Sequence, residues 1–495
     1  MNLRKILFSS VCLIGICSLL FLSLARLQPA KAQETNRWWS TPFRLSNEQN
    51  KASEATLVTD QYGFVHAFWA ETLEDTRNLI MYARFDGQTW SIPIDLYVSG
   101  PFTAIGNISA VVDKNGLLHA VWSQGFAGPS FYTFAPANNA ANAQNWEKPI
   151  KIQIPSDKVH LQIDSKGVFH LLYVKFVGTN QGVYYIRSTD QGATWTSNVY
   201  LDPDILPDYG PRALIFKVDE TDGLHASWYY VPRNAGGGDW VRYIHSLDGG
   251  ETWSKPFTIV KDENQSGLLQ TPGPVMAIHG KTVLIVWAAG DNFLYRYYRY
   301  SKDSGQTWSS ALRFFGDLDG QAFDGMAVDG EGRFHFFAQL RFPQGIYHGY
   351  WDQEQWTLPS MIYLIRSNSD DEIGSRVHAH YTLGVVRLGN QIVLTFTDPP
   401  PDSKRRLFVM HRTLDDVGMI APWPTPSPIP TQIPEATPTP VPTDVPSTVS
   451  FNAEATPVSQ IPSPASSIWS GLIVTLVLLV GTVVYSVFFK NGRRE

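Results

Sequence analysis

Ser188-Thr189-Asp190-Gln191-Gly192-Ala193-Thr194-Trp195 returns as Ser246-Leu247-Asp248-Gly249-Gly250-Glu251-Thr252-Trp253 and again as Ser301-Lys302-Asp303-Ser304-Gly305-Gln306-Thr307-Trp308. Worn copies stand at Phe85-Asp86-Gly87-Gln88-Thr89-Trp90 and Trp351-Asp352-Gln353-Glu354-Gln355-Trp356, and Trp146 closes one that has lost its Asp and Gly. A short Asp side chain accepts backbone N–H groups across its own turn, Gly supplies positive φ, and Trp supplies a large apolar plug. Asp190, Gly192 and Trp195, with Asp248, Gly250, Trp253, Asp303, Gly305 and Trp308, are therefore read as structural, and the aspartates are not read as catalytic acids.

A second repeat alternates with the first: an apolar strand, Asp-x-x-Gly, then a strand carrying His and often Trp three residues on. Its copies are Asp60/Gly63/His66/Trp69, Asp113/Gly116/His119/Trp122, Asp164/Gly167/His170/Tyr173, Asp219/His225/Trp228 and Asp329/Gly332/His335. Weaker copies run 277–287 and 386–396. Stretches such as Phe64-Val65-His66-Ala67-Phe68-Trp69, bounded by turn residues, are strand-like. A repeat at this period makes stacked units of one fold. Counting hairpins between the tryptophans predicts an all-β, seven-bladed β-propeller of four-stranded blades. The last blade lacks a closing Trp and a fourth strand, and Trp38-Trp39-Ser40-Thr41-Pro42-Phe43-Arg44-Leu45 has the pattern of that missing piece. The N-terminal strand is expected to close the last blade and remove an open edge.

The Ser-x-Asp-x-Gly-x-Thr-Trp unit resembles the Asp-box, or bacterial neuraminidase repeat, of sialidase-like propellers, and the likeness spans nearly all of residues 33–416. It implies a site at the propeller axis. Sialidases hold a substrate carboxylate there with three arginines, beside a Tyr/Glu nucleophile pair and an Asp acid/base. An arginine fork suits a carboxylate through bidentate charged hydrogen bonds. Residues that open the innermost strands, Glu54, Arg212, Asp324 and Arg376, are placed near the axis. Arg212 and Arg376 would supply two-thirds of a triad, with Tyr381 the nearest tyrosine. The chain departs from the family in blade count, since sialidases have six, and in Phe43-Arg44-Leu45-Ser46, which lacks the proline of the sialidase Arg motif and puts Arg44 on an outermost strand.

In this topology the strand 1–2 and 3–4 turns share one face and are monotonous. The loops at 97–106, 202–212, 230–240, 261–273, 317–325, 367–376 and 398–406 share the other face, and each is individual. That makes the long-loop face the expected working surface. Tyr209, Tyr229, Tyr230 and Trp240 would either stack on a sugar or pack the loop. The five repeated histidines sit at equivalent blade positions around the axis, where they make repeat contacts rather than a metal ring. Asp202, Asp204 and Asp208, or Asp317, Asp319 and Asp324, have no EF-hand spacing. No metal and no cofactor is expected.

The ends place the propeller. Arg4 and Lys5, an apolar stretch, and Ala30-Lys31-Ala32 read as a signal peptide over 1–32. Both cysteines, Cys12 and Cys17, lie inside it, so disulfides and thiol chemistry are not expected beyond it. Residues 417–467 are rich in Pro, Thr and Ser and read as an extended stalk. The uncharged run 468–489 would span about 33 Å as a helix, enough for a bilayer core of about 30 Å. Lys490, Arg493 and Arg494 hold the tail, 490–495, inside. With a net charge of −6 and no basic block in the propeller, nucleic acid is not expected as a partner. The expected function is recognition of a glycan or a surface protein, without catalysis, by a single-pass protein of the cell membrane. A sialidase-like exo-glycosidase and a membrane-complex assembly factor are the alternatives.

Overall fold

The computed structural model describes residues 38–425 apart from 126–127, 177–179, 206–207, 233–237, 239, 262–272, 291–294, 319–323, 342–343, 365–381 and 399–404. The signal segment, most of the stalk, the membrane segment and the tail lie outside the described residues, as do Arg376 and Tyr381. The chain is an all-β propeller of seven blades, each a separate antiparallel sheet.

From the inside outward, blade 1 is Thr56–Thr59, Val65–Thr72, Asn78–Phe85 and Ile94–Val98. Blade 2 is Ile105–Val112, Leu117–Gln124, Gly128–Pro136 and Ile150–Ser156. Blade 3 is Lys158–Ile163, Phe169–Lys175, Gly182–Ser188 and Val199–Tyr200. Blade 4 is Tyr209–Val218, Leu224–Pro232, Trp240–Ser246 and Phe257–Lys261. Blade 5 is Val275–His279, Thr282–Ala289, Tyr295–Ser301 and Leu312–Phe314. Blade 6 is Gly325–Val328, Phe334–Arg341, Gln344–Trp351 and Ser360–Tyr363. Blade 7 is Thr382–Arg387, Gln391–Asp398, Arg406–Thr413 and, as its outermost strand, Phe43–Arg44. Each innermost strand neighbours the next, and that of blade 7 returns to that of blade 1. One segment was not visible in the repeat count: Lys51–Ala52 pairs with Thr72 and Glu71, adding a fifth piece to blade 1.

Second strands are buried on both faces because each blade is covered by its two neighbours. Val65 to Trp69 is buried without interruption, a continuous apolar run rather than an alternating one.

The turns behave as their residues dictate. Asp190 Oδ1 accepts the Thr194 N–H at 2.8 Å and the Ser188 hydroxyl at 2.7 Å, and Oδ2 accepts the Thr194 hydroxyl at 2.6 Å. The same set recurs around Asp248 and Asp303. Hydrogen bonds from Thr194 and then Ser188 pull the Asp190 pKa down to about 2, so the carboxylate is an ionised acceptor with no proton to give.

The tryptophan after each turn plugs the seam to the preceding blade. Trp146 packs on Tyr82 of blade 1 (5.3 Å between ring centroids), Trp253 on Tyr185 of blade 3 (5.0 Å), Trp308 on Tyr243 of blade 4 (4.8 Å) and Trp356 on Tyr298 of blade 5 (5.6 Å). Trp195 joins Tyr132 in the cluster between blades 2 and 3. Four of those tyrosines also anchor the repeated histidines. Nδ1 of His66, His119, His170 and His225 lies 2.6–2.8 Å from the hydroxyls of Tyr82, Tyr132, Tyr185 and Tyr243. Nε2 faces the turn aspartate, at 3.1 Å from Asp60 and 3.0 Å from Asp219. In blade 6, His348 replaces the tyrosine, with its Nε2 2.9 Å from Nδ1 of His335. A neutral imidazole can donate at Nε2 and accept at Nδ1, so the clamps of His66, His225 and His335 join the strand 1–2 turn to strands 2 and 3.

Blade 7 is closed by the N-terminal arm. Phe43 pairs with Val409 and Arg44 with Phe408. Ser40 N–H bonds the His411 carbonyl at 2.8 Å, and its hydroxyl accepts the His411 N–H at 2.9 Å. Trp39 supplies the plug that blade 7 lacks: its ring stands edge-on to Phe337 (6.3 Å) and His348 (5.8 Å) of blade 6. Beyond blade 7 the chain crosses the short-turn face, with Ile420 N–H on the Leu388 carbonyl (2.9 Å) and Trp423 N–H on the Gln61 carbonyl (2.7 Å).

Candidate binding site at the mouth of the central channel

Inner strands alternate between the seams and the axis. Val159 and Leu161 are buried among Tyr132, Phe169 and Trp195 between blades 2 and 3. Lys158, His160 and Gln162, on the opposite face of the same strand, are half-buried. Strand register then sets their depth. Lys158 pairs with Val174, four residues past His170, and Arg212 pairs with Tyr229, four past His225. Ser53, beside Glu54, bonds the carbonyl of Ala70, four past His66. Glu54, Lys158 and Arg212 thus occupy one level of blades 1, 3 and 4, at the long-loop end of the axis.

The electrostatics agree with that placement. Enclosure by the ring lowers the Lys158 pKa; the Glu54 carboxylate opposes this and the Arg212 guanidinium adds to it. His160, one step deeper, is pushed down to about 3 by burial and then by Lys158 and Lys217. Lys217 is open to water yet surrounded by protein, as a channel-lining group must be, and its pKa is lowered by that enclosure. The Arg212 guanidinium rests 4.0 Å above the Phe176 ring, which holds it in place while leaving it exposed. The mouth therefore presents an ammonium and a guanidinium beside one carboxylate, with Lys217 further in. It can receive a carboxylate or sulfate on the cations and a hydroxyl on Glu54.

The other sequence-derived candidates are placed elsewhere. Both Asp324 oxygens are engaged by Arg296, at 2.7 Å (Nε) and 3.0 Å (Nη2), in a fully buried pair. Tyr209, Tyr230 and Trp240 are not loop residues: they lie in strands and are buried in the core between blades 3 and 4. The Tyr230 hydroxyl donates to Asp202 at 3.0 Å, and Asp202 also takes Arg242 Nε at 3.0 Å. Arg242 stacks over Trp240 at 4.3 Å. Asp317 pairs with Arg313 at 2.7 Å. Among the described residues no group of three or more His, Cys, Asp or Glu could hold a metal ion.

Lys158, His160 and Lys217 were missed by sequence reasoning. Lys158 follows the last strand of blade 2 after a single residue, Asp157, so no loop announces it. The alternation Lys-Val-His-Leu-Gln-Ile was the available signal.

No family model matches the chain, and neither does any curated protein. Among solved structures, an ulvan lyase of polysaccharide lyase family PL25, bound to -[GlcA(1-4)Rha3S]-, is similar over 74% of this chain and 94% of its own, with 12% identity and a TM-score of 0.52. A mutant of the NanB sialidase from Streptococcus pneumoniae matches 76% of this chain and 70% of its own, with 15% identity and a TM-score of 0.41. A protein of unknown function from Dyadobacter fermentans DSM 18053 matches 76% and 100%, with 13% identity and a TM-score of 0.46. At these identities the likeness is one of fold alone; the count of seven blades is read from this chain's own sheets.

Proposed function

We propose that this chain is an extracytoplasmic recognition propeller of the Asp-box kind, tethered to the membrane by residues 468–489, which binds an acidic glycan at the channel mouth without cleaving it. The observation that carries the reading is the convergence of Lys158 and Arg212 beside Glu54 at one level of the axis. The similar fold of the ulvan lyase bound to -[GlcA(1-4)Rha3S]- supports a saccharide ligand. Asp324, the carboxylate placed by sequence near the axis, is already committed to Arg296, which favours binding over hydrolysis. Trp423, bonded to the Gln61 carbonyl, lies on the short-turn face, opposite the proposed site.

The test is binding of the full-length chain to arrayed glycans bearing uronate, sialate or sulfate, against neutral ones. Lys158→Ala and Arg212→Ala should each weaken binding to the acidic set at least tenfold. Equal binding to neutral glycans, or no change in either variant, would refute the site. Turnover of a fluorogenic sialoside that fails in Arg212→Ala would establish the exo-glycosidase instead.

A further inference from the structure

Seven equivalent third-strand positions face the seams between blades. Strand register identifies them: Tyr82 lies opposite Phe68, Tyr132 opposite Val121, Tyr185 opposite Leu172, Tyr243 opposite Ser227, Tyr298 opposite Val286 and His348 opposite Phe337. Each of these partners lies on the buried second strand, two residues past the repeated histidine or its counterpart. In blade 7 the same register gives Val409 opposite Thr395, and Val393 stands at the histidine position. Six blades put a ring against the next plug, and blade 7 puts a valine there.

The seam between blades 7 and 1 shows the consequence. Trp90, its plug, meets a valine at the tyrosine position of blade 7 and stacks back on Phe85 of its own blade, 5.2 Å apart at 27°, while Phe85 packs on His411 of blade 7 at 5.1 Å. Beside it lies a cavity of about 410 Å³, lined by Val393, Val409, Met410, Phe85, Trp90 and Phe43, with Ser40, Thr41, Gln88, Thr89 and His411 also contributing. That volume is within the range of small-molecule pockets, about 300–1,000 Å³. Phe43, on the two-residue closing strand, is more than half exposed and forms part of its wall.

We propose that this seam pocket is a binding site for an external aromatic ring, a tyrosine-like phenol, which takes the place that a tyrosine or histidine of the chain itself fills in the other blades. The shape of the occupant is dictated by repetition, because the same plug-on-ring packing recurs in four other seams at centroid distances of 4.8–5.6 Å. At the position where the other blades hold a ring, Val393, Val409 and Phe85 present an apolar surface, which an aromatic face can cover without leaving a polar group unsatisfied. A phenol has one O–H. His411 lines the cavity and is kept neutral by burial, which lowers its pKa, so its ring can accept that proton. The site is separate from the channel mouth and stands or falls independently of it.

The experiment is saturation-transfer NMR on the full-length chain with N-acetyl-L-tyrosinamide as probe. N-acetyl-L-alaninamide and methyl α-D-glucopyranoside serve as controls. Transfer to the ring protons is expected with wild type and should fall at least tenfold in Val409→Tyr, which fills the cavity with the missing ring. The same variant should melt at or above the wild-type temperature. If Val409→Tyr fails to fold, Val409→Leu, which narrows the same cavity, must still weaken the signal. No transfer to the wild type, unchanged transfer in a folded variant, or stronger transfer to the glucoside would each overturn the proposal.

Discussion

Nδ1 of His170 lies 2.8 Å from the Tyr185 hydroxyl, and the same tyrosine ring carries Trp253 of the next blade. One side chain therefore joins a polar clamp within blade 3 to an apolar plug between blades 3 and 4. Tyr185→Phe keeps the plug and deletes only the clamp hydroxyl, and should cost about 1–2 kcal/mol. Tyr185→Ala removes both and should cost about 3–5 kcal/mol. Urea unfolding of the two variants measures the difference, and equal losses would contradict the dual role.

The buried histidines make the fold acid-sensitive in a defined window. Burial lowers the pKa of His66, His170 and His335 below the ordinary 6.5, against the opposing hydrogen bonds of Asp60, Asp164 and Asp329. Below about 6.5 the unfolded chain takes up protons that the folded chain refuses, so stability is intact above that pH and falls as the pH drops through it. His160, at about 3, extends the window downward. Asp190 and Asp248, held at about 2, add their loss only below the usual carboxylate range. Denaturant midpoints should be lower at pH 5.0 than at pH 7.5, and a flat profile would count against neutral clamps.

Adjacent glycines in one turn should respond differently. Gly249 and Gly250 both have positive φ, +70° and +86°. A Cβ on Gly249 meets nothing within 4 Å, whereas one on Gly250 would stand 1.9 Å from the Tyr185 hydroxyl. Gly249→Ala should cost only the left-handed penalty, about 1–2 kcal/mol. Gly250→Ala must also displace Tyr185 and should cost more, as read by thermal unfolding.

Trp39→Ala should destabilise by about 3–5 kcal/mol, as for other buried aromatic truncations, because it pulls the plug from the seam between blades 6 and 7. Trp38→Ala, at a side chain 60% exposed, should stay within about 0.5 kcal/mol. Similar losses in the two variants would refute the closure by Trp39.

Asp324→Asn leaves the Arg296 guanidinium buried with a weakened partner and should cost about 3–5 kcal/mol. The measurement is chemical denaturation. A variant as stable as wild type, but altered in ligand turnover, would return Asp324 to the list of catalytic groups.

Much of the scaffold was legible because its signals are local. The Ser-Asp-Gly-Thr-Trp turn closes its hydrogen bonds within a few residues, and a missing fourth strand at one end of the repeat matched a spare strand at the other. Contacts across a blade were not legible. His66 reaches Tyr82, Asp202 reaches Arg242 and Arg296 reaches Asp324 across separations of 16, 40 and 28 residues, and no spacing rule marks such meetings. Tyr230 and Trp240 were misread because the Pro- and Gly-rich stretch between them reads as loop, although the flanking strands run to Pro232 and from Trp240. Glu54 and Arg212 were placed near the axis from their position at the opening of an inner strand; Lys158, with no loop ahead of it, was not.

The run from Leu414 to Trp423 has a mechanical consequence. It is hydrogen-bonded first to Leu388 in blade 7 and then to Gln61 in blade 1, and Trp423 sits edge-on to Tyr62 at 6.2 Å. Tension arriving through the chain beyond Trp423 therefore loads blade 1 before it can reach blade 7. The two blades at the closing seam share the pull, and the short outer strand Phe43–Arg44 is spared from bearing it alone. The run acts as a strain relief for the ring.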